Sequence, residues 1–133
     1  MKKIDFSADV KTWLEFVAYD LKSARWQMKG KIYTFSCYAS QQSAEKALKA
    51  LLLAYGKPIP KIHSLDRLMT ILKNLNIEVS SIEDEARELD KYYITTRYPG
   101  QYGGPEGLYD RDDAETAIHA VETIIAFVKR KIK

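Results

Sequence analysis

The segment 41–52, Gln41-Gln42-Ser43-Ala44-Glu45-Lys46-Ala47-Leu48-Lys49-Ala50-Leu51-Leu52, constrains the fold more than any other. At about 100° per residue, Leu48 and Leu52 fall within about 20° of Gln41, and Glu45 within about 40° of it. A glutamine and a glutamate therefore sit in the apolar stripe of a long helix. A buried carboxylate without a partner costs several kcal/mol, so a cation must come to it. Arg97 is the expected partner, because it stands where a later helix stops before Pro99.

Helical periodicity runs through the rest of the chain, and β signals are scarce. Ser7 or Asp9 is expected to cap a first helix reaching about Met28, with Val10, Trp13, Leu14, Val17, Leu21, Ala24 and Met28 inward and Gly30 as its stop. Its second stripe, Phe16, Tyr19 and Trp26 with Ser23 between, puts Trp26 roughly opposite the first. A helix apolar on two faces is either central in its bundle or at an interface. The second helix spans about Tyr33 to Tyr55, with Gly56 after it. Its small residues, Ser40, Ser43, Ala47, Ala50 and Ala54, favour close helix approach.

Ser64 caps a short helix ending near Leu75. A fourth opens at Ser80 or Ser81 and, continued to Arg97, carries Ile82, Ala86, Leu89 and Tyr93 inward, with Arg97 on the same side. Segment 98–109 is irregular and holds Gly100, Gly103, Gly104 and Gly107 among Tyr98, Tyr102 and Tyr109; a loop of this length is usually functional or mobile. A last helix runs from about Asp112 to Ile132. These elements predict one all-α domain over 1–133, an antiparallel bundle of four long helices plus a short one.

Composition excludes several function classes. A length of 133 residues suits one domain, and a net charge of +3 does not by itself announce nucleic acid. Cys37 is the single cysteine, so no internal disulfide can form, which fits a reducing cytosol. One cysteine and two distant histidines make a poor metal site, and no cofactor is expected. No apolar run approaches the ~20 residues of a membrane span, and none long enough follows Met1-Lys2-Lys3, so a signal peptide is not expected.

The chain resembles the HEPN superfamily, the higher eukaryote and prokaryote nucleotide-binding domains. The resemblance is carried by Asp20-Leu21 in the first helix, Gln41 to Lys49, His63-Ser64-Leu65 and Thr96-Arg97-Tyr98-Pro99. It implies a helical bundle that forms a homodimer with a polar groove at the dimer interface and, in some members, a minimal nucleotidyltransferase partner in toxin–antitoxin-like pairs. Many members are metal-independent ribonucleases with an arginine followed after four to six residues by a histidine. The histidine moves protons during attack by a ribose 2′-hydroxyl, and the arginine holds the phosphate. Arg97 matches the arginine, but Tyr102, Gly103 and Gly104 stand where the histidine belongs, and Tyr98 replaces the polar residue after the arginine. The spacing of Arg111 and His119 misses the motif as well.

The expected function is therefore a non-catalytic module accepting a nucleotide or RNA phosphate. Arg97 would touch phosphate, Glu45 would orient Arg97, and Tyr98 or Tyr102 would meet the base. Glu45 with Arg97 is otherwise a structural ion pair, and Gln41 and Gln42 either recognise the ligand or satisfy backbone at a helix crossing. His63, before a helix start, either packs locally or helps hold an anion with Lys61. The alternatives are a toxin-like ribonuclease using His63 or Tyr102 as its acid–base group, and a pure protein-interaction subunit.

Overall fold

The structure is a computed structural model that describes residues 5–95 and 104–132. Three long helices dominate it: α1 (Ser7–Lys29), α2 (Tyr33–Ala54) and α6 (Arg111–Ile132). Between them lie α3 (Leu65–Asn74), a 3₁₀ turn (Ser80–Ile82), α4 (Glu83–Asp90) and α5 (Tyr92–Thr95). Among the described residues there is no strand, as the periodicity predicts.

The helix ends follow local chemistry, with two departures from expectation. At the start of α1 neither Ser7 nor Asp9 caps; instead the Ser7 amide donates to Asp5 Oδ1 at 2.9 Å. At its end Gly30 has an ordinary negative φ, and Lys31 takes the left-handed conformation at φ 64°. Gly56 does adopt positive φ after α2, where glycine meets least strain. Ser64 Oγ accepts the Arg67 amide at 3.2 Å and caps α3. Asp110 and Asp113 bond each other's backbone amides at 3.0 and 2.9 Å and open α6 with a capping box.

The fourth helix does not run on to the end of its predicted stripe. It stops at Asp90, and the chain restarts at Tyr92. The interruption shifts the phase by one residue. Tyr92, not Tyr93, enters the core beside Ile82, Ala86 and Leu89, and its ring meets Tyr109 edge-on at 4.8 Å. Tyr93 is left half-buried, outside that core. Arg97, expected inward on the same stripe, lies outside the described residues.

The central element is α2, which touches α1, α3, α4, α5 and α6. Leu48, Leu51 and Leu52 on α2 join Leu65, Leu68 and Leu72 of α3 and Val121, Ile124 and Val128 of α6 in one core. Small residues let α1 approach closely. Ser36 Oγ donates to the Ala24 carbonyl at 2.7 Å and Ser43 Oγ to the Val17 carbonyl at 2.8 Å, while Ser40 Oγ between them is buried with no partner among the described residues.

Candidate functional site

Because α2 is covered on nearly all sides, its polar residues must find partners inside. Glu45 is buried, and its first partner is Lys49, one turn on, with Nζ 3.0 Å from Oε2. Both side chains are almost fully enclosed, 6% exposed for Glu45 and 7% for Lys49. An ammonium at i+4 from a carboxylate lies on the same helix face, and burial removes the water that would screen the pair. The cation demanded by Glu45 is thus supplied from its own helix.

A second group reaches Glu45 from the connection before α3. His63 Nδ1 lies 3.2 Å from Oε2 and 3.3 Å from Oε1. A carboxylate only accepts, so the proton of this contact belongs to Nδ1. The imidazole stacks on Tyr93 with centroids 4.9 Å apart and planes 12° from parallel. Half of the His63 side chain stays exposed, so the ring links a buried carboxylate to the surface.

The glutamines extend the network. Gln41, fully buried, donates through Nε2 to the His63 carbonyl at 3.2 Å and, at the longer distance of 3.4 Å, to Glu45 Oε1. Gln42 Nε2 donates to Gln41 Oε1 at 2.7 Å. Gln42 also lines an open groove of about 520 Å³ between α1 and α2, where Lys46 pairs with Asp20 at 2.6 Å. A chain of polar contacts therefore crosses the bundle from that groove through Gln42, Gln41 and Glu45 to His63.

The amides at the start of α3 already have an anion. Asp90 Oδ1 accepts the Leu65 amide at 2.6 Å and Oδ2 the Asp66 amide at 3.0 Å. An exogenous anion beside His63 and Lys61 would have to displace this carboxylate, so the helix-start reading of His63 is replaced by its contact with Glu45.

Gln41, Glu45 and His63 thus come together, with Gln42 one bond further. Arg97, Tyr98 and Tyr102 lie outside the described residues. Two partners escaped the sequence reading. Lys49 carried a legible signal, a lysine four residues after a glutamate; Asp90 carried none, because it acts 25 residues from its place in the chain. His119 is exposed on α6, as its helical phase predicts. Among the described residues no group of three His, Cys, Asp or Glu could hold a metal, and no helix is long and apolar enough to cross a membrane.

Comparison with known proteins identifies this architecture. Residues 10–131 match the HEPN domain family. The chain is 36% identical to TT1696 from Thermus thermophilus, whose crystal structure superposes with a TM-score of 0.84 over 92% of this chain and 97% of that one. ST0689, an archaeal HEPN homologue of known structure, is 35% identical with a TM-score of 0.78, and all of each chain is covered. Among curated proteins, the "Putative toxin MJ1304" of Methanocaldococcus jannaschii is 26% identical, covering 92% of this chain and 88% of its own length. This chain belongs to the HEPN domain family.

Proposed function

We propose that this single-domain HEPN protein binds a nucleotide or an RNA phosphate beside the Glu45 cluster and performs no chemistry on it. In this reading Arg97 contacts the phosphate, Tyr98 or Tyr102 meets the base, and Gln41, Gln42, Glu45 and His63 shape the polar wall. It acts as a homodimer in the cytoplasm, with a minimal nucleotidyltransferase as its protein partner. The observation that carries the reading is the half-exposed His63 ring, pinned by a buried carboxylate on one edge and stacked on Tyr93. Arg97 follows Tyr93 by four residues in the sequence. Aromatic and imidazole faces suit an unpaired base, and a guanidinium suits its phosphate.

The test is titration of labelled single-stranded RNA and of ATP followed by anisotropy. Arg97→Ala should weaken binding at least tenfold, since a charge-assisted hydrogen bond contributes about 1.5–3 kcal/mol. A folded variant with unchanged affinity overturns the assignment.

One observation favours a second reading, a metal-independent ribonuclease. With Nδ1 committed to Glu45, His63 Nε2 has no partner among the described residues and, in the neutral tautomer, would carry the lone pair a general base needs. It would take the 2′-hydroxyl proton while O2′ bonds the adjacent phosphorus and the P–O5′ bond breaks, the leaving O5′ taking a proton from water. Cleavage of RNA in the presence of a chelator, lost in His63→Gln with binding retained, would establish this reading. Bound but intact RNA at high protein concentration would dismiss it.

A further inference from the structure

The second stripe of α1 does not pack within the chain, and a row of rings joins its surroundings to the candidate site. Phe16, Tyr19 and Trp26 are 55%, 70% and 65% exposed, and Phe35 across the groove on α2 is 45% exposed. By helical phase Trp26 flanks the α1 wall of that groove, which Ser23 and Gln27 form. Tyr38 lines the groove from α2, and its ring centre is 6.5 Å from that of Tyr93, the ring stacked on His63. The surface groove and the histidine are thus two ends of one aromatic path.

Charge selects the occupant. From Tyr19 to Lys31 the sequence holds one acid, Asp20, against Lys22, Arg25, Lys29 and Lys31. Asp20 is taken by Lys46, and Arg25 by Glu122 on α6. Lys22 and Lys29 are exposed and form no ion pair among the described residues. Glu15 stands seven residues before Lys22, and Lys31 shares a small hollow with Glu106, so neither acid compensates Lys29. Tyr19, Lys22, Trp26 and Lys29 fall within about 80° on the outward side of α1, rings alternating with cations. Lys29 Nζ lies 5.6 Å from the centre of the Trp26 ring. A ring with an ammonium beside it offers a base its stacking surface and the attached phosphate its counter-charge. A second copy of the chain would instead bring the same spare cations to the same face.

We infer that the α1/α2 face is a track for a single strand of nucleic acid, with bases against Phe35 and Trp26 and a phosphate on Lys29. The strand continues the site at His63 by way of Tyr38 and Tyr93. This assignment rests on the binding reading above and names its ligand as a chain of several nucleotides rather than a mononucleotide. The groove, about 520 Å³, has the volume of a small-ligand site and remains open along the bundle. A duplex keeps its bases stacked on one another and cannot offer them to these rings.

The experiment is anisotropy titration of labelled tetrauridylate and dodecauridylate with the full chain and with Trp26→Ala/Phe35→Ala. The longer strand should bind roughly tenfold tighter or more, and the double variant should lose that gain while binding the short strand as before. Lys29→Gln should flatten the dependence of log affinity on log salt by about 0.7, the share of one phosphate on a single strand. Dodecathymidylate run in parallel separates the two sources of such a ligand: a gain kept by the deoxy strand assigns the track to bases and phosphates alone, and a gain lost assigns it to RNA. Should the double variant fail to fold, Trp13→Phe leaves Trp26 as the single tryptophan, and its emission should change as dodecauridylate saturates. A short strand that binds as tightly as the long one, or a length gain that survives the double variant, overturns the track alone. Trp26 emission that follows protein concentration and ignores dodecauridylate gives the face to a second copy and also overturns it. Failure of both strands to bind overturns the binding reading together with the track.

Discussion

Glu45 holds its place in the core because Lys49 stands one turn away and His63 reaches it from the next connection. Two enclosed charges are tolerated only as a pair; remove one, and the other is left unsolvated. Lys49→Met should therefore lower the unfolding free energy by about 3 kcal/mol, and Glu45→Leu/Lys49→Met should restore most of the loss. Urea melts of the two single variants and the double variant measure this directly. Additive losses would show that the two groups do not act together. The requirement for a cation was legible from Glu45's position in an apolar stripe. Lys49, the cation the structure brings to it, was passed over in favour of Arg97, which lies outside the described residues.

At the scale of elements, the connection between α3 and α4 shows how one helix finishes another. Asp90, the last residue of α4, turns its carboxylate onto the first amides of α3. A carboxylate at a helix start satisfies donors that have no intrahelical acceptor and meets the positive end of the dipole. Asp90→Ala should cost about 1–2 kcal/mol and leave the amides of Leu65 and Asp66 exchanging faster with deuterium. Unaltered exchange at those two amides would mean that Ser64 caps α3 unaided. The break after Asp90 was illegible in the sequence, since Ile82, Ala86, Leu89 and Tyr93 continue a helical period without fault. The period records spacing along the chain and cannot register the pull of a partner helix on one carboxylate.

At the scale of the whole molecule, burial governs the response to alkali. Cys37 is wholly excluded from solvent, and burial pushes its thiol from 9.0 up to about 12, with Asp113 and Glu88 adding to the shift. Burial also raises the Tyr92 hydroxyl, assisted by its hydrogen bond to Glu88. Both groups keep their protons in the fold and lose them first in the unfolded chain. Stability is thus fully present below about pH 9 and falls as pH rises above it, each group contributing at most about 1.4 kcal/mol per pH unit. Lys91, held charged by its bond to Glu88, contributes with the same sign above its ordinary value. Urea melts at pH 8, 9, 10 and 11 should show this decline, with a shallower slope in Cys37→Ala. A flat profile to pH 11 would contradict it.

The amino-acid sequence by itself determined the all-helical class, the extents of α1, α2, α3 and α6 to within a few residues, and the presence of polar groups inside α2. Each of these follows from side-chain period and short-range chemistry, which act within a turn or two of the chain. The tertiary structure alone decided which groups meet: His63 with Glu45, Asp90 with α3, Tyr92 rather than Tyr93 in the core. It also decided that α2, not α1, is the central helix, which leaves the second apolar stripe of α1 facing outward. Those outcomes depend on how whole faces fill space against one another, and no local spacing encodes that.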